Sequence, residues 1–240
     1  MANRHLVAIH SVNCTDLINY ILQSHSVPNT LVVCSSREAF LEHLQTTIHH
    51  THLINTTDLP NEGTSNSPHP FLIPTIHLLA TSRTVHLAFT PSLLHLRAYL
   101  ATFLPSVGST ASAPSYEKPG TRTPTLAILG LVTLHQSTSE HSAQGLSRTL
   151  ATAVEAAERA NMRLLLAEPR SPQENEEMLG VGDTTSEVPE MDPWKEQVPL
   201  LSNSIRLGSE ERAWAGRTIK VAQVIEGWCR FVTLEEIGRI

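Results

Sequence analysis

The chain has 240 residues, 40% hydrophobic and 17% charged, with a formal net charge of −6. That balance supports a sizeable core, excludes a largely disordered chain, and excludes an overall basic field that would draw the protein onto nucleic acid. The longest apolar runs, such as 126–134, fall well short of the ~20 residues that span a bilayer, and the short run after His5 does not read as a signal peptide. Three widely spaced cysteines, Cys14, Cys34 and Cys229, exclude a disulfide scaffold and point to a reducing compartment.

Leu6-Val7-Ala8-Ile9 is a short apolar run between polar residues and predicts a buried strand. The polar turn 10–15 follows, then a helix over 16–23 with Leu17, Ile18, Ile21 and Leu22 at helical spacing and Thr15 as its N-cap. Leu31-Val32-Val33-Cys34 predicts a second buried strand, and Ser35 or Ser36 caps a helix over 37–45. Strand, helix, strand and helix in so short a stretch favour a parallel sheet.

Residues 49–74 are polar and contain four prolines, so they read as a surface insertion. Residues 75–81 suit a short strand or helix, and Val85-His86-Leu87-Ala88-Phe89 alternates like a strand. Pro91 lies near the start of a helix over 93–104. Residues 105–124, rich in Ser, Pro, Gly and Thr, predict a loop. The run 125–134 predicts the central strand, 142–161 a long helix and 163–167 the next strand. Residues 169–193 form an acidic, proline-containing insertion; the tail predicts strands over 217–225 and 228–232, joined as a hairpin at Glu226-Gly227.

This order of elements resembles a RecA-type ATPase core. The stretch from Val85 to Leu100 is similar to the strand and helix before the second nucleotide motif of eukaryotic recombinase paralogues, Leu126 to Leu131 resembles their Walker B strand, and Gln144 to Ala157 resembles the helix after it. The likeness covers most of 4–170. It implies an α/β fold: a RecA-like P-loop NTPase-type core with a mostly parallel sheet flanked by helices and a C-terminal β-hairpin. It also implies one domain over 1–240 and a nuclear protein of the Shu-complex type with degenerate Walker motifs.

The departures from the family bear on chemistry. A P-loop needs glycines so that backbone N–H groups cradle phosphate, a Lys for the β/γ-phosphates and a Ser or Thr for Mg²⁺. The matching turn carries Asn13, Cys14 and Thr15 with neither Gly nor Lys, and Asp16 repels phosphate. Gly130 stands where the resemblance places the Walker B carboxylate. No ATP hydrolysis and no cofactor are therefore expected. His49, His50 and His52 lack a cysteine pair and a ligand-like spacing, so they read as a solvated cluster rather than a zinc site. Cys34, at the end of a strand, reads as a structural thiol.

The tail supplies candidate partner-binding residues. Trp194 and Trp214 follow the acidic insertion, and Arg217 and Lys220 are set on a strand face. Trp194 is expected at an interface and Trp228 in the core. The resulting expectation is a non-enzymatic subunit that supports homologous recombination and double-strand break repair by assembling with protein partners of a recombination-mediator complex, touching DNA only within that complex and no membrane. The alternatives are a RecA-fold scaffold subunit of the Elongator complex acting in tRNA modification, or an α/β enzyme that uses Cys34 or a His.

Overall fold

The computed structural model describes residues 6–10, 12–23, 28–57, 69–104, 123–170, 192–201 and 217–237, with only the backbone described over 50–57. The elements in chain order are β1 (Leu6–Ile9), α1 (Cys14–Leu22), β2 (Asn29–Val33), α2 (Arg37–Thr57), α3 (Ile76–Ser82), β3 (Val85–Phe89), α4 (Leu93–Thr102), β4 (Thr125–Leu129), α5 (Leu131–Gln136) and α6 (Ala143–Arg159). They are followed by β5 (Arg163–Ala167), β6 (Gln197–Pro199), β7 (Thr218–Lys220), α7 (Val221–Glu226), β8 (Arg230–Val232) and α8 (Leu234–Ile237).

Six strands form one sheet in the order β3-β2-β4-β5-β1-β8, and every pairing in it is parallel. The fold is therefore α/β, a parallel sheet flanked by helices. β4 and β5 hold the centre, and their continuous apolar runs are what burial on both faces demands. The chain moves from β1 outward to β2 and β3, then returns through β4 and β5 to β8. Right-handed crossovers put outgoing and returning helices on opposite faces. One face packs Val7, Ile9, Leu31, Val33, Leu129 and Leu165 under α1 and Phe40 of α2. The other packs Leu6, Ala8, Val32, Ile128, Leu164 and Leu166 under α4, α6 and α7. Successive strand residues thus alternate between two cores, as the pleat requires.

Several sequence expectations need correction. Helix α2 continues to Thr57, so 49–57 belong to a helix rather than to an insertion; of the rest of that segment, 58–68 lie outside the described residues. Residues 105–122 and 171–191 of the other two insertions also lie outside them. The apolar run 125–134 is not one strand: β4 ends at Leu129, Gly130 turns in the left-handed region at φ 84°, and α5 begins. Leucine and valine suit either element, and the turn is set by the one residue that adopts positive φ at no steric cost. Helix α1 begins at Cys14, so Asn13 rather than Thr15 stands at its N-cap position, without a side-chain capping bond.

In the tail, 217–225 and 228–232 do not form a hairpin. Val221, Val224 and Ile225 recur at i, i+3 and i+4 and bury one side of α7, and β8 then pairs in parallel with β1. A small antiparallel pair is present, but its strands are β6 and β7.

Candidate functional site

The carboxyl end of a parallel sheet is where chain reversals bring loops from several strands together, and crevices open where neighbouring strands send their helices to opposite faces. Here β2 leads into α2 on one face and β4 into α5 on the other. Asn13, Cys14, Thr15, Cys34 and Gly130 lie at this edge.

The turn after β1 is closed. Val12 is buried and forms a parallel bridge with Pro169, and the Arg170 N–H donates to the Val12 carbonyl at 3.2 Å. The loop after β5 therefore lies along the backbone that a phosphate cradle would leave open. The exposed side chain of Asn13 donates to Asp16 at 3.2 Å, while the Asn13 carbonyl accepts the N–H groups of Asp16 and Leu17. Cys14 is fully buried, and burial pushes its thiol up to about 12. Thr15 is buried as well. His10, exposed at the end of β1, stacks on Phe231 of β8 with ring centroids 4.8 Å apart.

Gly130 follows β4, and its N–H donates to the Ala167 carbonyl at 2.9 Å. A Cβ there would meet Cys34 and Pro169 only at ordinary contact distances, so the positive φ, rather than space, requires glycine. The carboxylate at this edge comes instead from the end of β5. Glu168 is 1% exposed and accepts the Val132 N–H at 2.7 Å, the Thr133 N–H at 3.2 Å and the Thr133 hydroxyl at 2.9 Å. It satisfies the orphan donors of the first turn of α5. Burial pushes its carboxyl up to about 7, against the pull of these hydrogen bonds. Sequence reasoning sought an acid at 130 and missed it at 168, although an acid directly after the apolar run Leu164-Leu165-Leu166-Ala167 was the available signal.

Cys34 sits just past β2, buried, with the Thr90 hydroxyl on its sulfur at 3.9 Å. Burial first, and Glu168 second, raise its thiol far from reactivity at neutral pH. Between the ends of β2 and β4 lies a cleft of about 140 Å³, bordered by Cys34, Gly130, Phe40 and His43. The His43 Nε2 is inside the protein with no hydrogen-bond partner among the described residues, and burial lowers this imidazole's pKa.

A second polar cluster lies under α4, α5 and α6. Arg97 grips both carboxylate oxygens of Glu140, donates to Thr149 Oγ1 at 3.1 Å and reaches the Gly145 carbonyl at 3.2 Å. His135, wholly buried, lies 3.0 Å from Thr149 Oγ1 through Nε2 and 3.2 Å from the Glu140 carbonyl through Nδ1. Burial pushes its imidazole down to about 4, and the Arg97 charge adds to this; the Arg97 hydrogen bond likewise holds the Glu140 carboxyl below its usual range. A Cβ on Gly145 would lie 2.1 Å from the Glu140 carbonyl oxygen, so only glycine lets α6 approach this loop. Every member of the cluster has a protein partner, which makes it a fastening rather than an open site.

The tail candidates separate. Trp194, expected at an interface, is 3% exposed in the chain by itself, meets Phe231 edge-on at 5.3 Å and packs in the core. A ring between Val198, Val221 and the sheet removes far more apolar area from water than a surface position offers. Trp228 is half-buried against the same core, and Trp214 lies outside the described residues. Arg217 and Lys220 are exposed at the two ends of β7. His49, His50 and His52 fall in α2, and among the described residues no group of three or more His, Cys, Asp or Glu is placed to hold a metal ion. Among the described residues no helix is long and apolar enough to cross a membrane. No family model, curated protein or solved structure matches the chain.

Proposed function

We propose that the chain is a non-catalytic, RecA-like recombinase paralogue: a nuclear subunit that supports homologous recombination and double-strand break repair by docking an extended segment of a protein partner, with DNA met only through the complex. The observation that carries the assembly reading is the outer edge of β3. Among the described residues this strand pairs with β2 alone, so one row of its N–H and C=O groups faces outward. Natural edges are blunted by shortness, charge or proline. The opposite edge, β8, has three residues and an exposed Arg230. β3 has five residues, no charge and no proline, and it exposes Leu87. The turn at Arg83-Thr84 ties it to α3, where Ile76 is 87% and Leu79 57% exposed.

An unpaired strand edge with an exposed apolar side chain fits one kind of occupant, an extended segment that adds a strand and sets alternate side chains alongside Leu87. The absence of phosphate chemistry in this proposal is supported by the turn after β1, where Val12, Pro169 and Arg170 occupy one another.

The test is quantitative capture of the recombinase and its mediator partners on tagged protein, wild type against Leu87→Lys. The exposed position should leave the melting temperature unchanged, while capture is lost and amide-exchange protection of 85–89 on complex formation disappears. Capture unaffected by the Lys, or capture of two related RecA-fold scaffold subunits in place of the recombinase, overturns the proposal.

A further inference from the structure

On the reading that β3 takes an added strand, its surroundings also specify the charge of that strand. The Asn29 N–H donates to the Thr84 carbonyl at 3.1 Å, and the Thr90 N–H donates to the Val33 carbonyl at 2.9 Å. Backbone groups alternate sides along a strand, so His86 and Ala88 turn theirs to β2, while Val85, Leu87 and Phe89 turn theirs to the outer edge. Side chains alternate between the two faces of the sheet. Val85 and Phe89 pack on the face that carries α2, and the exposed Leu87 shares it. His86 is exposed on the α4 face, where its Nδ1 lies 3.5 Å from the Tyr99 hydroxyl.

The charge around this edge differs from that of the chain as a whole. The net charge is −6, yet all 23 acidic residues lie outside 63–116, the longest stretch without one. The described part of that stretch, 69–104, holds α3, β3 and α4. Of its two arginines, Arg97 grips Glu140, whereas Arg83, exposed two residues before β3, has no partner among the described residues. His86 on the strand and His95 on α4 add exposed imidazoles. A negative segment is therefore repelled by much of this protein and least at β3. The two faces differ again, because α2 carries exposed Glu38 and Glu42 on the Leu87 face and α4 carries no acid on the His86 face. We propose that β3 takes an acidic strand: an extended peptide in which Asp or Glu alternates with apolar residues, its carboxylates on the His86 face with one paired to Arg83, and its apolar side chains beside Leu87. Main-chain bonds to Val85, Leu87 and Phe89 hold any extended segment, and the charges select among segments.

The experiment titrates the full chain with three end-blocked peptides in which Val alternates with Glu, Gln or Lys, read by ¹H–¹⁵N shifts and amide exchange over 83–89. The Glu peptide should protect the N–H groups of Val85, Leu87 and Phe89, leaving those of His86 and Ala88 unchanged, since these already face β2. It should bind about fivefold more tightly than the Gln peptide, as each exposed ion pair is worth a factor of up to about five, and the Lys peptide should bind most weakly. Raising the salt from about 0.05 to 0.5 M should erase the preference for Glu. Arg83→Glu should remove most of that preference and leave the Gln peptide's affinity unchanged, while Arg83→Lys should retain it; the position is exposed, and thermal melts establish that both variants are folded. Equal binding of the Glu and Gln peptides, with Val85, Leu87 and Phe89 protected by both, overturns the acidic assignment and leaves docking at the edge standing. Absence of protection at these amides with every peptide overturns both. A preference for Glu that survives Arg83→Glu, or shifts centred elsewhere, also overturns the assignment.

Discussion

Two buried ionisable groups at α5, Glu168 against its first turn and His135 in its last, titrate in opposite directions, and together they predict an unusual pH profile of stability. Burial moves Glu168 from an ordinary value of 4.5 up to about 7. It moves His135 from 6.5 down to about 4. For Glu168 the folded value is raised, so its stabilisation is full below the unfolded value and is lost as pH rises through 7. For His135 the folded value is depressed, so its stabilisation is full above 6.5 and is lost as pH falls through 4. At about 1.4 kcal/mol per pH unit, each effect amounts to about 3 kcal/mol across its own window.

Between pH 5 and 6 the folded chain holds a proton on Glu168 and none on His135, and the unfolded chain holds the reverse. Equal proton counts make the slope vanish. Urea unfolding from pH 4.5 to 7.5 should therefore show the wild type changing little around pH 5.5. Glu168→Gln removes one side of the balance, and its stability should rise by about 1.4 kcal/mol per unit through that window. His135→Gln removes the other, and its stability should fall as pH rises towards 7. His43, lowered by burial as well, tilts the wild type slightly in the direction of His135. Each substitution also adds a pH-independent cost from lost hydrogen bonds, but that cost shifts a curve without changing its slope. Three parallel curves would refute the reasoning.

Two further outcomes rest on packing. Trp194→Ala should lower the melting temperature by about 6–20 °C, because truncating a buried Trp costs about 3–5 kcal/mol and each kcal/mol is worth roughly 2–4 °C at this size. Trp194→Phe should lose less than half as much, since it keeps the ring against Phe231 and removes an indole N–H that has no partner among the described residues; differential scanning fluorimetry separates the two. Gly145→Ala tests the sign of a steric effect against propensity. Helix propensity favours Ala by about 1 kcal/mol, but the new Cβ would drive into the Glu140 carbonyl. Denaturant unfolding should show a net loss, with roughly 1–3 kcal/mol of overpacking opposing the gain.

What is legible in the sequence follows from where one physical signal dominates. Leu6–Ile9, Val85–Phe89 and Arg163–Ala167 are short apolar or alternating runs with polar ends, and each is a strand at the expected place. Helix α6 carries Leu146, Leu150, Ala153 and Ala157 on one buried side, a periodicity no strand shares. Misreadings arose where two signals coincide. Val221, Val224 and Ile225 are β-branched, and their composition masked a spacing that belongs to a helix. The polar sequence after His49 hid the continuation of α2, because little apolar pattern marks it. Trp194 follows an acidic stretch, and nothing local in the sequence shows that it folds back onto Phe231.

The same limit explains the carboxylate. A sequence comparison aligns residues along one strand, so an acid expected at the end of β4 is sought at 130 alone. The sheet aligns residues across strands: Leu129 pairs with Ala167, which places Glu168 one residue beyond, level with Gly130. An acid can therefore stand beside the end of β4 without belonging to it. Here it faces the first turn of α5, and three donors hold it there. A Walker-type acid has to be ionised and open to a metal at neutral pH. Glu168 is buried, committed to its helix, and half-protonated near pH 7. Glu168, Gly130 and the Val12 bridge thus meet at one edge of the sheet, where the acid serves α5 and the turn after β1 is tied to the loop after β5.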